Sequence, residues 1–107
     1  MPKAREYQDA AGQSPFGQWF EGLDAEPAAR VATTVTKIEQ GLKPNMKSVG
    51  KGVHESKIEF GPGYRIYVAF DGTELVLLLG GGEKSGQNDD IAYAQERWAD
   101  YKKRKRA

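Results

Sequence analysis

Residues 55–69 of this 107-residue chain gather the side-chain types that act on phosphodiesters. From Glu55 the pattern alternates, with Glu55, Lys57 and Glu59 on one side and Ser56, Ile58 and Phe60 on the other. After Gly61-Pro62-Gly63, Tyr64, Ile66, Val68 and Phe70 share a face, and Arg65, Tyr67 and Ala69 take the opposite one. A three-residue loop would pair Phe60 with Tyr64, setting Glu59 opposite Arg65, Lys57 opposite Tyr67 and Glu55 opposite Ala69. Lys84 leaves the next strand beside this polar face, and Lys47 and Lys51 approach from the loop before it.

Such a surface can cut RNA without a metal if the 2′-hydroxyl attacks the neighbouring phosphorus. The protein must take the hydroxyl proton, stabilise the phosphorane charge and protonate the departing 5′-oxygen. Arg65 can clamp two non-bridging oxygens with its planar fork. Lys57 and Lys84 add positive charge, Glu55 is the available base, and Tyr67 can stack on a nucleotide. The same residues equally fit a solvated outer sheet face with cross-strand ion pairs, each contributing about 0.2–1 kcal/mol. His54, at the strand entrance, reads as an exposed bystander, and Trp19, Phe20 and Trp98 as core.

The elements that must position these residues are legible in outline. Residues 4–10 fit a short, weak opening strand. Ser14 reads as an N-cap with Pro15 at the first helical position, and Phe16, Trp19, Phe20 and Leu23 make an aromatic stripe. Asp24 reads as the cap of a longer helix with the stripe Ala28, Val31, Val35, Ile38 and Leu42, stopped by Gly41 and Pro44. Residues 45–52 read as a lysine- and glycine-bearing loop. Asp71-Gly72 marks a hairpin turn, and the apolar run Leu75–Leu79 marks a strand buried on both faces. Gly80-Gly81-Gly82 reads as a loop without Walker spacing, followed by a helix from Asp89 or Asp90 packing through Ile91, Ala94, Trp98 and Tyr101. The expected fold is therefore α+β: a helical hairpin on a three-stranded antiparallel meander, then a C-terminal helix.

Composition narrows the classes. Apolar residues make up 38% and charged residues 29%, as in an ordinary globular domain, and the length suits a single one. No run approaches the roughly 18 apolar residues of a membrane span, and residues 1–9 do not resemble a signal segment. Zero cysteines exclude disulfides and thiolate metal sites, and one histidine makes a zinc centre a poor expectation, so no cofactor or metal is expected. The net charge of +1 averages unequal parts: residues 43–65 carry +3, and the tail 102–107 holds five of the sixteen basic residues on a body of −4. A polyanion would be handled by the middle segment and that tail, whose last residues are expected to be mobile.

Three blocks together resemble a known family. Lys47-Ser48-Val49-Gly50-Lys51-Gly52-Val53-His54-Glu55, then Ile58-Glu59-Phe60-Gly61-Pro62-Gly63-Tyr64-Arg65-Ile66-Tyr67, then Leu77-Leu78-Leu79-Gly80-Gly81-Gly82-Glu83-Lys84-Ser85-Gly86-Gln87 are similar to the RelE/ParE toxin superfamily. The similarity is to its HigB-like branch of addiction-module killer proteins and runs from about Tyr7 to Trp98. It implies a RelE-like α+β domain, with two helices, an antiparallel sheet and a C-terminal helix. It also implies a cytoplasmic type II toxin that inhibits translation by cleaving mRNA, often on the ribosome. The implied partner is a helix-turn-helix antitoxin, through which alone operator DNA is contacted; no membrane is involved.

By position the resemblance makes Arg65 the phosphate-binding arginine and Lys57 and Lys84 basic positions of the sheet and the following loop. With Glu55 these are the expected catalytic set, and Lys47, Lys51, Tyr67 and Gln87 the expected RNA contacts. Where such toxins often carry a C-terminal tyrosine or histidine this chain has Asp90-Ile91, with Tyr93 the nearest aromatic, so no general acid is assigned. Two other functions stay open: a non-enzymatic toxin such as a ParE-like gyrase inhibitor, and a non-toxic DNA-binding relative.

Overall fold

The computed structural model describes residues 1–106 and is an α+β domain built on a five-stranded mixed sheet. In chain order the elements are β1 (Lys3–Glu6), α1 (Pro15–Glu21), α2 (Ala25–Glu39), β2 (Met46–Gly50), β3 (Val53–Ile58), β4 (Tyr64–Asp71), β5 (Leu75–Glu83), a 3-10 turn (Lys84–Gly86) and α3 (Gln87–Arg106). The spatial order is β1-β5-β4-β3-β2; β2 to β5 form an antiparallel meander, and β1 adds in parallel to β5.

Local chemistry accounts for the helix starts and stops. The Ser14 hydroxyl accepts from the Gly17 amide at 2.9 Å, and Pro15 opens α1. Asp24 precedes α2 in an extended conformation, but its side chain makes no cap bond; the Ala28 amide bonds to the Asp24 carbonyl instead. Gly41, at φ 87°, takes the left-handed position that ends α2, letting the Leu42 amide reach back to the Lys37 carbonyl at 3.0 Å. Leu42 itself is 53% exposed, so the buried stripe of α2 ends at Ile38.

Both faces of the sheet are covered. Helices α1 and α2 pack on one face, where Phe16, Val31 and Ile38 meet Ile58, Ile66, Val68, Val76 and Leu78. Helix α3 covers the other, where Ala94 and Trp98 meet Val53, Tyr67, Ala69, Leu77 and Leu79. That second layer corrects the expectation of an open polar face: α3 lies over the side that carries Glu55, Arg65 and Tyr67.

Four further expectations are corrected. Residues 46–50 are strand β2, paired to β3 through Met46↔Ser56, Lys47↔Glu55 and Ser48↔His54, so the meander has four strands. The β3–β4 connection spans residues 59–63, because Gly61 (φ 56°) and Gly63 (φ 83°) build a turn in which the Gly63 amide bonds to the Phe60 carbonyl. This shifts the register by two: Glu55 opposes Tyr67, Lys57 opposes Arg65 and Ile58 opposes Tyr64. A two-residue shift keeps every side chain on its face and changes only its neighbours.

Gly80-Gly81-Gly82 is strand, not loop. An irregularity in the β4–β5 pairing, where Tyr67 faces Gly80 but Val68 faces Leu78, turns Gly80 and Gly82 toward α3 and Gly81 toward α1. A Cβ at Gly81 would overlap the Trp19 ring and one at Gly82 the Asp90 carboxylate, while one at Gly80 would stand 2.6 Å from Arg97 Nη1. The glycines serve here as clearance for side chains from both helices.

The basic tail is the last turns of α3, helical through Arg106. Lys105 bonds both oxygens of Asp71 at 2.7 and 2.8 Å, and Arg104 pairs with Asp100 at 2.7 Å and lies over the Tyr7 ring. Hydrogen bonds from Lys105 and Tyr101 hold the Asp71 carboxyl below its usual range. The tail's final position, Ala107, lies outside the described residues. The opening strand occupies Lys3–Glu6, and β1's outer edge is partly satisfied where the Ala4 amide donates to Glu39 Oε2 at 2.9 Å.

Candidate functional site

Strands β2, β3 and β4 place Lys47, Glu55 and Arg65 on one face, and the start of α3 brings Gln87 onto them. Glu55, 1% exposed, is the centre of the group. Its Oε1 lies 3.4 Å from Arg65 Nε and 4.0 Å from Lys47 Nζ, while Oε2 accepts from Gln87 Nε2 at 2.8 Å. Arg65 is 5% exposed, and neither its Nε nor its Nη1 has a hydrogen-bond partner among the described residues. A buried guanidinium with two unanswered donors is rare and calls for an explanation, because each such group loses its hydration without recompense.

Beside the group is a depression of about 340 Å³ lined by Asn45, Met46, Lys47, Glu55, Lys57 and Arg65, with Glu59 at its rim. Lys57 projects there half-exposed and pairs with Glu59 at 3.4 Å. Lys84 starts the 3-10 turn; its amide bonds to the Gly63 carbonyl, and a Cβ built on Gly63 would touch both Lys84 Cβ and Arg65 Nη1 at 3.9 Å. Arg65, Lys57, Glu55, Lys47 and Gln87 are thus one neighbourhood, with the Lys84 backbone at its edge and Lys84 lining an adjoining depression with residues 85–89.

Two expected contacts are not part of it. Lys51 sits in the β2–β3 turn at the far end of that hairpin, in the left-handed region at φ 55° and flanked by Gly50 and Gly52, which abut Gln95 and Trp98 of α3. Tyr67 is 1% exposed under α3 and has no open ring face for a base to stack on. Its hydroxyl lacks a hydrogen-bond partner among the described residues, and burial, with Glu55 and Asp90 nearby, raises its pKa well above 10.0. His54 is half-buried with its ring edge-on to Phe70, 5.5 Å between centroids, and burial lowers its pKa.

The raised Tyr67 pKa has a measurable consequence. The folded protein retains that proton where the unfolded chain loses it, so stability is full below about pH 10 and declines as pH rises toward the folded-state value. Tyr67→Phe is expected to keep or raise stability at neutral pH by up to about 1 kcal/mol, since it removes an unpartnered hydroxyl. It should also flatten the alkaline decline. Urea titrations at pH 7 and above pH 10 check both; an unchanged alkaline slope would assign the decline to other groups.

Sequence reasoning missed Asp90 and Arg97 of α3. Asp90 stands over Gly82 and Gly86, and burial raises its carboxyl pKa despite the neighbouring Arg97. Arg97 Nη1 donates to the Leu79 carbonyl at 2.9 Å, and burial lowers its pKa. The available signal was the glycine run itself, which reports large polar groups from another element lying against the strand.

No group of three His, Asp or Glu side chains able to hold a metal occurs among the described residues, and no described helix is long and apolar enough to cross a membrane. No family profile matches the sequence, and no solved structure matches it. An uncharacterized protein of Haemophilus influenzae (strain ATCC 51907 / DSM 11121 / KW20 / Rd) is 35% identical over 81 residues, covering 75% of this chain and 82% of that protein. The chain belongs to the family of that protein. At this identity over most of both chains, the Haemophilus influenzae relative is expected to share the fold described above.

Proposed function

We propose that this protein is the toxin of a type II toxin–antitoxin pair, a HigB-like member of the RelE/ParE superfamily that cleaves mRNA without a metal. One observation carries the reading: a buried carboxylate, Glu55, shares a depression with a guanidinium that has two unanswered donors, and Lys47 and Lys57 rim it. The element order supports it as well, since two helices, an antiparallel meander and a C-terminal helix are what the resemblance implies.

In this reading Glu55 Oε1 takes the 2′-hydroxyl proton while Gln87 holds Oε2. The 2′-oxygen attacks phosphorus, and Arg65 and Lys57 stabilise the charge on the non-bridging oxygens. The bond to the 5′-oxygen breaks, that oxygen takes a proton from solvent water, and a 2′,3′-cyclic phosphate remains, with Lys84 adding positive charge near the site. The partners are a helix-turn-helix antitoxin and mRNA, free or ribosome-bound, in the cytoplasm.

Induction of the chain alone in a bacterial host is expected to arrest growth and create new transcript ends, mapped by sequencing RNA 5′ termini. DNA breaks with intact transcripts would replace this reading with gyrase poisoning. Unimpaired growth with no new ends would replace it with the non-toxic relative.

A further inference from the structure

The depression at Glu55 does not end at the sheet edge. A second groove of about 510 Å³ runs between α2 and the β3 end, and Asn45, Lys57 and Glu59 line both. The two cavities lie on opposite sides of the sheet and meet around the start of β2. Asn45 shapes the bend: it holds the left-handed region at φ 44°, its carbonyl accepts from the Lys57 amide at 3.2 Å, and its side-chain amide reaches the Lys57 carbonyl at 3.5 Å.

The chemistry of the second groove suits a strand of nucleotides. Together the two cavities are lined by Arg30, Lys37, Lys47, Lys57 and Arg65 against Glu26, Glu55 and Glu59, a positive balance on a chain body that is otherwise acidic. Arg30 lies over the Phe60 ring with its guanidinium carbon 4.2 Å from the centroid, and its side chain is 49% exposed. One face of that planar cation is thus backed by an aromatic ring, its edge pairs with the exposed Glu26 at 3.6 Å, and about half of the side chain stays accessible to a base. Lys37 follows seven residues later on α2, about 10 Å along the helix axis, with no carboxylate within ion-pair distance among the described residues. Thr33 lies between them in sequence and lines the same wall.

We infer that the groove between α2 and the β3 end binds single-stranded RNA flanking the scissile phosphate, with Arg30 stacking on a base and Lys37 pairing with a backbone phosphate. The sharp bend at Asn45 admits a flexible single strand and turns away a rigid duplex. This rests on the RNA-cleaving reading above and adds to it the path by which the strand leaves the Glu55 depression.

The test is the affinity of the full chain for a short 2′-O-methyl oligoribonucleotide, which has no free 2′-hydroxyl to attack, measured by fluorescence anisotropy over a salt series. Lys37→Ala is expected to weaken binding and to lower the log–log salt slope by ~0.7, the value for one lost single-strand phosphate contact. Arg30→Ala is expected to weaken binding ~10-fold through lost stacking. Arg30→Lys keeps the charge, so the wild-type salt slope returns while the affinity stays low. Lys51→Ala, at the far end of the hairpin, is expected to bind as wild type does. Arg30 and Lys37 are surface positions, and equal thermal melts confirm that the variants fold. If the wild type binds and cleaves RNA while both alanine variants match it, the groove inference fails and the cleavage reading stands. If the wild type neither binds the oligonucleotide nor cleaves RNA, both fail together.

Discussion

Glu55→Ala is expected to lose about 3–5 kcal/mol of folding stability, the usual result of removing one partner from a buried ion pair. The loss arises because Arg65, 5% exposed and already lacking partners for two of its donors, would keep its charge with no carboxylate beside it. Arg65→Ala should behave alike, leaving Glu55 with Gln87 and the distant, 67%-exposed Lys47. Lys47→Ala should cost less than about 1 kcal/mol, since an exposed lysine 4.0 Å away is well screened. The double variant Glu55→Leu/Arg65→Met should recover much of the single-variant loss, because apolar groups of similar volume need no compensation. Urea unfolding of the four proteins provides the comparison. A Glu55→Ala loss below about 1 kcal/mol would mean that water reaches the pair and that it carries no buried charge. A pair set at 3.4 Å without hydrogen-bond alignment is poorly arranged for stability, which is why an apolar replacement of both partners is expected to be tolerated.

On the RNA-cleaving reading proposed above, Lys57→Ala is expected to reduce cleavage by about 10²–10³-fold, the usual effect of removing one preorganised charge from a phosphoryl-transfer site. It separates chemistry from folding better than Arg65 does. Lys57 is half-exposed, its ion pair is with the exposed Glu59, and its backbone amide bond to Asn45 does not depend on the side chain. Stability should therefore change by no more than about 0.5 kcal/mol. Single-turnover cleavage of a short RNA, together with growth after induction, reads the effect. Lys57→Arg should retain part of the rate by keeping the charge, with altered geometry. A Lys57→Ala protein that cleaves at the wild-type rate would remove Lys57 from the site and leave the transition-state charge to Arg65 and Lys84.

Much of the fold was legible from local chemistry. Ser14-Pro15, Gly41 and Asp71-Gly72 mark ends and turns whose geometry depends on a few neighbouring residues, and the structure has them where the sequence puts them. The stripe of Val31 and Ile38 and the alternation through Ser56, Ile58, Ile66 and Val68 likewise report which side is buried. Strand β1 was only faintly legible, because Lys3–Glu6 has little strand propensity of its own and is held by its parallel pairing with β5. Strand β2 was missed for a related reason: Met46–Gly50 alternates weakly, ends in glycine and is an edge strand sustained by β3.

By itself the sequence determined the α+β class, the shared face of Glu55, Lys57, Arg65 and Tyr67, and the proximity of Lys47 and Lys84 to it. Those follow from side-chain period and chain connectivity, which a two-residue slip leaves intact. Only the tertiary structure decided that α3 closes over that face. Helix docking depends on distant partners: Asp90 and Arg97 fit against Gly82 and Gly80, and Gln87 reaches Glu55, 32 positions earlier in the chain. That docking turns what reads as a solvated row of charges into a buried carboxylate–guanidinium pair, withdraws Tyr67 from the surface, and leaves Lys47 and Lys57 as exposed cations beside it. Burial is the sum of contacts from many separate segments, and no local pattern carries that sum.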